Sequence, residues 1–304
     1  MAQFVSGMLQ QGEVMDLSDV ISLISPTDTP LLSILMAQGR YTQAYDVKVS
    51  WREEALDTNR LNPSLEGAEA GTPVTTARTL VSNNCQILSK VTAVSGTMTA
   101  LNPKGVGQEL NRQILLRLTE VKRDGEYYVL QGAKADENSS TPRQMNGLLN
   151  LVANSVDATA GLTEDLIIDA FKKMWDAGAA GGSNVIALMN ATAKGLINKI
   201  FKDSAQLVTN GGMNQVLGTS VSKVVTDYGE AELILDRHMP ADQILIVDLD
   251  QVELAELRPA QAEGLGKTGD NVKVQIVHEF TVKLLNKFAG AKIINVNKTT
   301  EATQ

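Results

Sequence analysis

The residues best spaced for chemistry stand near the end of the chain. Gly264-Leu265-Gly266-Lys267-Thr268-Gly269 reproduces the GxGxxG spacing of dinucleotide-binding turns and contains the Gly-Lys-Thr that ends a phosphate-binding loop. In both motifs glycines let backbone N–H groups approach phosphate, and the N-terminus of the following helix adds positive potential. The context here differs. A dinucleotide turn follows a strand and opens a helix, whereas Asp270-Asn271 and a strand-like run come next. A phosphate loop needs a glycine five positions before Gly266, and Gln261 stands there. These glycines read better as shaping a mobile loop. A nucleotide-dependent enzyme using Gly264–Gly269 is the alternative from another class.

Other candidates are weaker. His238 and His278 are the only histidines, and no second histidine or cysteine lies at metal-ligand spacing from either. A serine or cysteine triad would need one of them, and the single cysteine, Cys85, sits in a strand-like segment. His278 falls in a strand-like alternation and reads as a structural side chain. Asp248 and Asp250 form a carboxylate pair at a strand end, where sites gather in α/β sheets, but such residues are also ordinary turn formers. No catalytic residue, cofactor or metal is expected.

The elements that would carry any site are clearer. From Val106 through Leu110, Ile114, Leu118, Val121, Gly125, Tyr128 and Val129, apolar and small residues fall on one helical arc. Asn102 can cap this helix, Pro103 fits its first turn and Gly132 can close it. The spine helix predicted over 104–132 is a rod of roughly 40–45 Å. Gly125 on the apolar stripe implies close approach of another backbone or is a tolerated defect, and Leu116, Tyr127 and Leu130 suggest an element behind the spine.

Before the spine, Met1–Val14 reads as a flexible arm, and Asp16–Ile24 and Thr29–Gly39 read as short helices. Tyr41–Trp51 and Thr79–Val94 read as strands flanking Arg52–Ala77, which has no apolar period. Two strands with a long open tip make an extended hairpin. Fifteen residues per limb would reach about 50 Å, against a radius of gyration of about 19 Å for a compact chain of this length. A partly disordered surface loop is the plainer reading of that tip. After the spine, Thr163 caps a helix with Leu166, Ile167, Ala170, Phe171, Met174 and Trp175 on its apolar face. Asn184–Met189 reads as a buried strand and Ala191–Lys202 as a helix. Strands are expected at Val221–Thr226, Ala231–Leu235 and Gln243–Asp248, completing an α/β domain, and Val272–Val296 is mostly strand.

Composition sets limits. The chain has 304 residues, 27 basic and 35 acidic, for a formal net charge of -8. With no basic block, it is not built to bind nucleic acid by neutralising phosphates. One cysteine excludes an intrachain disulfide and suits a reducing compartment. Met1–Met15 lacks the basic and apolar parts of a signal peptide, and no run approaches the ~18 apolar residues of a membrane span.

Several stretches together resemble one family: Asp16-Leu17-Ser18-Asp19-Val20-Ile21 with Ser25-Pro26-Thr27-Asp28-Thr29-Pro30-Leu31-Leu32; Asn84-Cys85-Gln86-Ile87-Leu88-Ser89-Lys90 with Val94-Ser95-Gly96-Thr97; Lys122-Arg123-Asp124 on the spine; Gly161-Leu162-Thr163-Glu164; and Leu257-Arg258-Pro259 with Lys267-Thr268-Gly269-Asp270 and Glu279. The ordered set is similar to the major head (capsid) proteins of tailed bacteriophages, in the SU-ten-like major head protein group. The resemblance implies the α+β capsid fold of the Hong Kong ninety-seven type and a self-assembling structural protein, not an enzyme. It implies a virion protein assembled in the host cytoplasm. Its partners would be itself, as hexamers and pentamers, then portal, scaffolding and decoration proteins, and packaged double-stranded DNA without sequence-specific binding; no membrane is implied. On that pattern residues 1–40 are an arm and 41–95 the extended loop. Residues 96–150 and 272–304 are a peripheral domain, and 151–271 an axial domain. An encapsulin-like compartment shell shares the implied fold and is the nearer alternative. Arg52, Glu53, Glu54, Arg60 and Arg78 in the extended loop, and Gly264, Gly266 and Lys267 in an assembly loop, are the expected inter-subunit contacts.

Some members of this fold weld neighbours by an isopeptide bond from a lysine in the extended loop. Between Val49 and Ser89 this chain has no lysine. Purified particles should therefore run as monomer on denaturing gels, and a ladder of covalent multimers would refute this.

Overall fold

The structure is a computed structural model and describes residues 28–57, 63–69, 73, 75–100, 109–179, 182, 184–201, 221–267 and 269–296. The arm before Asp28, the expected helix at Asp16–Ile24 and the start of the spine before Glu109 lie outside the described residues. Helix α1 (Pro30–Ala37) begins at the proline that suits its first turn. The expected strand over Tyr41–Trp51 is two strands, β1 (Tyr41–Gln43) and β2 (Lys48–Glu53). The run Thr79–Val94 likewise divides into β3 (Thr79–Asn84) and β4 (Gln86–Ser95).

The breaks share a cause. β2 pairs only with β3, while β1 and β4 enter a different sheet. At the junction Cys85 is fully buried, and its N–H donates to the Val47 carbonyl at 2.7 Å. The antiparallel β2–β3 ladder runs from Lys48↔Asn84 to Glu53↔Thr79. At six residues per strand, it spans about 20 Å, shorter than limbs of fifteen residues would give. Residues 54–57, 63–69 and 75–78 beyond it have no strand or helix and are exposed.

Then follow α2 (Gly96–Ala100), the spine α3 (Glu109–Gln131), α4 (Leu148–Leu151), β5 (Asn154–Asp157), α5 (Glu164–Asp176), β6 (Val185–Met189), α6 (Ala191–Ile200), β7 (Lys223–Thr226), β8 (Gly229–Leu235), β9 (Ile244–Asp248), β10 (Val252–Leu265), β11 (Asn271–Leu284) and β12 (Gly290–Ile294). One sheet has the order β5-β12-β9-β6-β8-β7, and another β1-β10-β11-β4. Every residue of β6 and β9 is buried, as strands covered on both faces must be; this is why they read as unbroken apolar runs. Thr163 Oγ1 caps α5 by accepting the Leu166 N–H, and Glu164 and Asp165 occupy its positive end. The α5 face of Ile167, Ala170, Phe171 and Met174 packs with Ala187, Met189, Ile244 and Ile246 in one core.

Two features depart from the sequence reading. β10 was not expected, because Pro259 and Gly264 inside it weaken the strand pattern. β12 pairs parallel with β5 and antiparallel with β9. The chain therefore re-enters the six-stranded sheet at Gly290, although 272–304 was expected to separate from 151–271.

Contacts group the described chain into two compact units. One holds residues 89–122 and 260–278. Inside it the Gly96 N–H donates to the Asp270 carbonyl at 3.1 Å, and a side chain on Gly96 would collide with the Asp270 carboxylate. The other unit holds the six-stranded sheet, α1, the β2–β3 hairpin and the C-terminal part of α3 from Arg123.

Along α3, Val121 of the expected apolar stripe is buried, as are Val129 and Leu130, whereas Tyr127 is exposed. A Cβ on Gly125 would stand 3.1 Å from Phe280 Cζ and 3.5 Å from Leu32 Cδ1. The close approach expected of a backbone is made by an aromatic ring. Gly125→Val should therefore lower stability by about 1–3 kcal/mol through overpacking, while Gly125→Ala trades a tight contact against about 1 kcal/mol of helix propensity. Thermal unfolding of the two variants checks the order.

Candidate functional site

The residues singled out from the sequence fall on the β2–β3 hairpin and on the turn between β10 and β11. The root of the hairpin is a set of buried amides. Asn83, fully buried, donates through Nδ2 to the carbonyls of Asn146 (2.9 Å) and Val282 (2.8 Å). Its Oδ1 accepts the N–H of Asn146 (2.7 Å) and of Asn84 (3.0 Å). Asn84 Nδ2 donates to the Ala135 carbonyl and to Asp136 Oδ1, both at 2.9 Å, and this bond holds the Asp136 carboxyl below its ordinary pKa. Gln86 Oε1 accepts the Met145 N–H at 3.1 Å. Each bond of the two asparagine side chains replaces one that water would have made.

Beside it, Glu279 on β11 is almost completely buried and accepts from two arginines: Arg143, and Arg258 Nε at 2.7 Å. Arg143 also donates to the Cys85 carbonyl (2.8 Å) and to Glu137 (2.6 Å). Burial disfavours its charge, but the bonds to Glu137 and Glu279 outweigh that and hold the guanidinium protonated. Cys85 is no nucleophile here, since burial, with Glu279 adding, pushes its thiol up to about 11. Asn84, Cys85, Gln86, Arg258 and Glu279, all quoted in the resemblance, thus lie around one structural knot. Sequence reasoning missed Asn83 and Arg143. The amides clustered at 83, 84 and 86 were a visible signal, whereas nothing local marks Arg143.

Toward the tip, Arg52 is exposed on β2. Glu53 pairs with Lys287 of its own chain at 3.4 Å. Glu54 accepts from Arg78 Nε and Thr76 Oγ1, each at 3.0 Å. Arg60 lies outside the described residues. At the other location, Gly264 is in β10, and Gly266 and Lys267 are exposed in the turn to β11. Nothing lies within 4 Å of a Cβ built on Gly264, Gly266 or Gly269. A strand follows this turn where a phosphate site needs a helix N-terminus.

The remaining candidates are structural. Asp248 accepts the Asp250 N–H at 2.9 Å and caps the turn Leu249–Gln251; burial raises its pKa. Asp250 pairs with Arg40. No group of His, Cys, Asp and Glu among the described residues is arranged to hold a metal.

The sequence model of the SU10 major capsid protein family matches residues 4–297. The chain belongs to that family. It is therefore a structural capsid protein of the tailed-phage kind, not an enzyme. A curated relative, the major capsid protein of Escherichia phage Phieco32, is 32% identical over 148 residues. The match covers 46% of this chain and 41% of that protein, so the chain spans under half the length of this relative. Among solved structures, the Cyanophage A-1(L) capsid aligns with a TM-score of 0.68 at 10% identity, covering 96% of this chain and 98% of that one. The SrpI encapsulin of Synechococcus elongatus aligns with a TM-score of 0.58 at 13% identity, covering 94% and 95%. The capsid protein has the Hong Kong ninety-seven type fold.

The knot sets a difference between its two arginines. Arg143→Ala leaves Glu279 buried with one cation and should cost about 3–5 kcal/mol, while Arg258→Ala, at the exposed side, should cost about 1 kcal/mol or less. Chemical denaturation of both variants tests this, and equal losses would contradict the assignment.

Proposed function

We propose that this chain is the main shell subunit of a phage head. Its copies pack as hexamers and pentamers into an icosahedral shell around double-stranded DNA, and it resides in the virion after assembly in the host cytoplasm. Portal, scaffolding and decoration proteins are the further partners of such a shell. The observation that carries this reading, beyond family membership, is the contrast within the hairpin. Its root is locked by buried amides, while residues 54–57, 63–69 and 75–78 are exposed. A segment so presented suits contact with another copy.

Arg52 and Arg60 are the cations we assign to a neighbour. Glu54 and Arg78 pair within the chain, and that exposed pair contributes at most about 1 kcal/mol, so its members can exchange partners on assembly. Glu53 is held by Lys287 and contributes less. Gly264, Gly266 and Lys267 form a second contact, where small residues let another backbone approach. A net charge of -8 suits a container, since it offers packaged DNA little fixed positive charge to bind.

Negative-stain electron microscopy with light scattering on the same sample tests the proposal. Closed shells, tubes, or discrete pentamers and hexamers are expected. Reversing both cations, Arg52→Glu with Arg60→Glu, should abolish or deform the particles without lowering the melting temperature of the unassembled chain. Normal particles from that variant would remove these two contacts. Particles filled with protein cargo and no DNA would favour the encapsulin-like reading. A compact monomer whose melting temperature rises with millimolar ATP or NAD would favour the nucleotide-dependent enzyme.

A further inference from the structure

Helix α1 has no side-chain cap of its own. Its first free N–H groups are taken by a residue far along the chain: Glu126 of α3 accepts the Leu31 N–H through Oε1 at 2.7 Å and the Leu32 N–H through Oε2 at 2.8 Å. Glu126 is fully buried and Asp236, which faces it, is 2% exposed. Among the described residues no cation pairs with either. Arg237 turns outward to pair with Asp28 at 3.3 Å, both being well exposed. His238 meets Asp236 only through its backbone N–H, which donates to Oδ1 at 2.7 Å. α1 offers no ionisable side chain, and among the described residues Asp236 is the charged group acting on Glu126. Asp236 Oδ2 is buried without a donor. Two carboxylates facing each other away from water cannot both be ionised without a large cost. A proton between them removes the repulsion and supplies the missing donor.

We infer that Glu126 and Asp236 form a one-proton latch that docks α1 on the spine. With the proton present, the Glu126 carboxyl donates to Asp236 Oδ2 and still accepts both N–H groups of α1. When the proton leaves to solvent, two buried negative charges face one another and α1 undocks. The latch thus governs how firmly α1 is held to the C-terminal part of the spine.

The sign follows from the shift of Glu126. Burial, then Asp236, raises its pKa from the model-peptide value of 4.5 to about 8 against the lowering effect of the two N–H bonds. In the undocked state it is an ordinary carboxyl and loses its proton near the bottom of that range. Docking therefore binds a proton between the two values. It is strongest at low pH, weakens about tenfold per pH unit through that window, and levels off above about 8, where both states are ionised.

Hydrogen exchange of the 30–38 segment in the full chain, corrected for intrinsic rates, reads the docking equilibrium between pH 6 and 10. In the native sequence the opening constant should rise by more than tenfold up to pH about 8 and then stay level. Glu126→Gln, which keeps the shape and removes the titration, should show no rise. Asp236→Asn can donate to an ionised Glu126, so it should move the level region to lower pH. If Glu126→Gln does not fold, Asp236→Asn alone decides. A flat native profile, a rise that continues unchanged above pH 8, or an Asp236→Asn profile identical to the native one would overturn the latch.

Discussion

Glu279 carries a charge into a site that is nearly dry, and everything at the root of the β2–β3 hairpin is arranged around neutralising it. Arg143 and Arg258 each take one of its oxygens, and Arg143 spends its remaining donors on Glu137 and on the Cys85 carbonyl. A buried carboxylate with two hydrogen-bonded cations is a tolerable charge, whereas one with none is not. Around this knot, Asn83, Asn84 and Gln86 tie the end of β3 and the start of β4 to the segment after the spine. That anchorage fixes the root from which the exposed end of the hairpin extends.

Glu126 shows the same side chain solving the opposite problem. Its neighbour is Asp236 rather than an arginine, so the proton, not a salt bridge, makes its burial bearable. One acid in this fold is paired with two arginines, and another is raised in pKa by burial and by a second acid.

The sheets divide labour in a similar way. β6 and β9 are buried on both faces and form a passive core with α5 and α6. Residues 258–265 of β10 are exposed along their whole length. The glycines there have open space around them, and the turn to β11 has the composition of a phosphate loop without the helix that would give it that chemistry.

The sequence alone determined the spine, the buried strands and the capped helix α5, because those signals are local: a period of 3.6 or an unbroken apolar run, closed by Thr163 or Gly132. The open tip of the hairpin was equally legible from the absence of any period after Arg52. The ordered motifs carried the family, though not what each motif does. Tertiary structure decided the rest. The splitting of Tyr41–Trp51 and Thr79–Val94 reflects which sheet each half joins, and pairing partners are not written in a strand's own alternation. β10 stayed hidden because proline and glycine interrupt it. The return of β12 beside β5 depends on contacts between segments more than a hundred residues apart. Arg143 and Glu279, 136 positions apart, and Glu126 with α1, about 95 apart, become sites only when folding takes their charges out of water. Composition cannot show which carboxylate will meet an arginine and which will meet another acid.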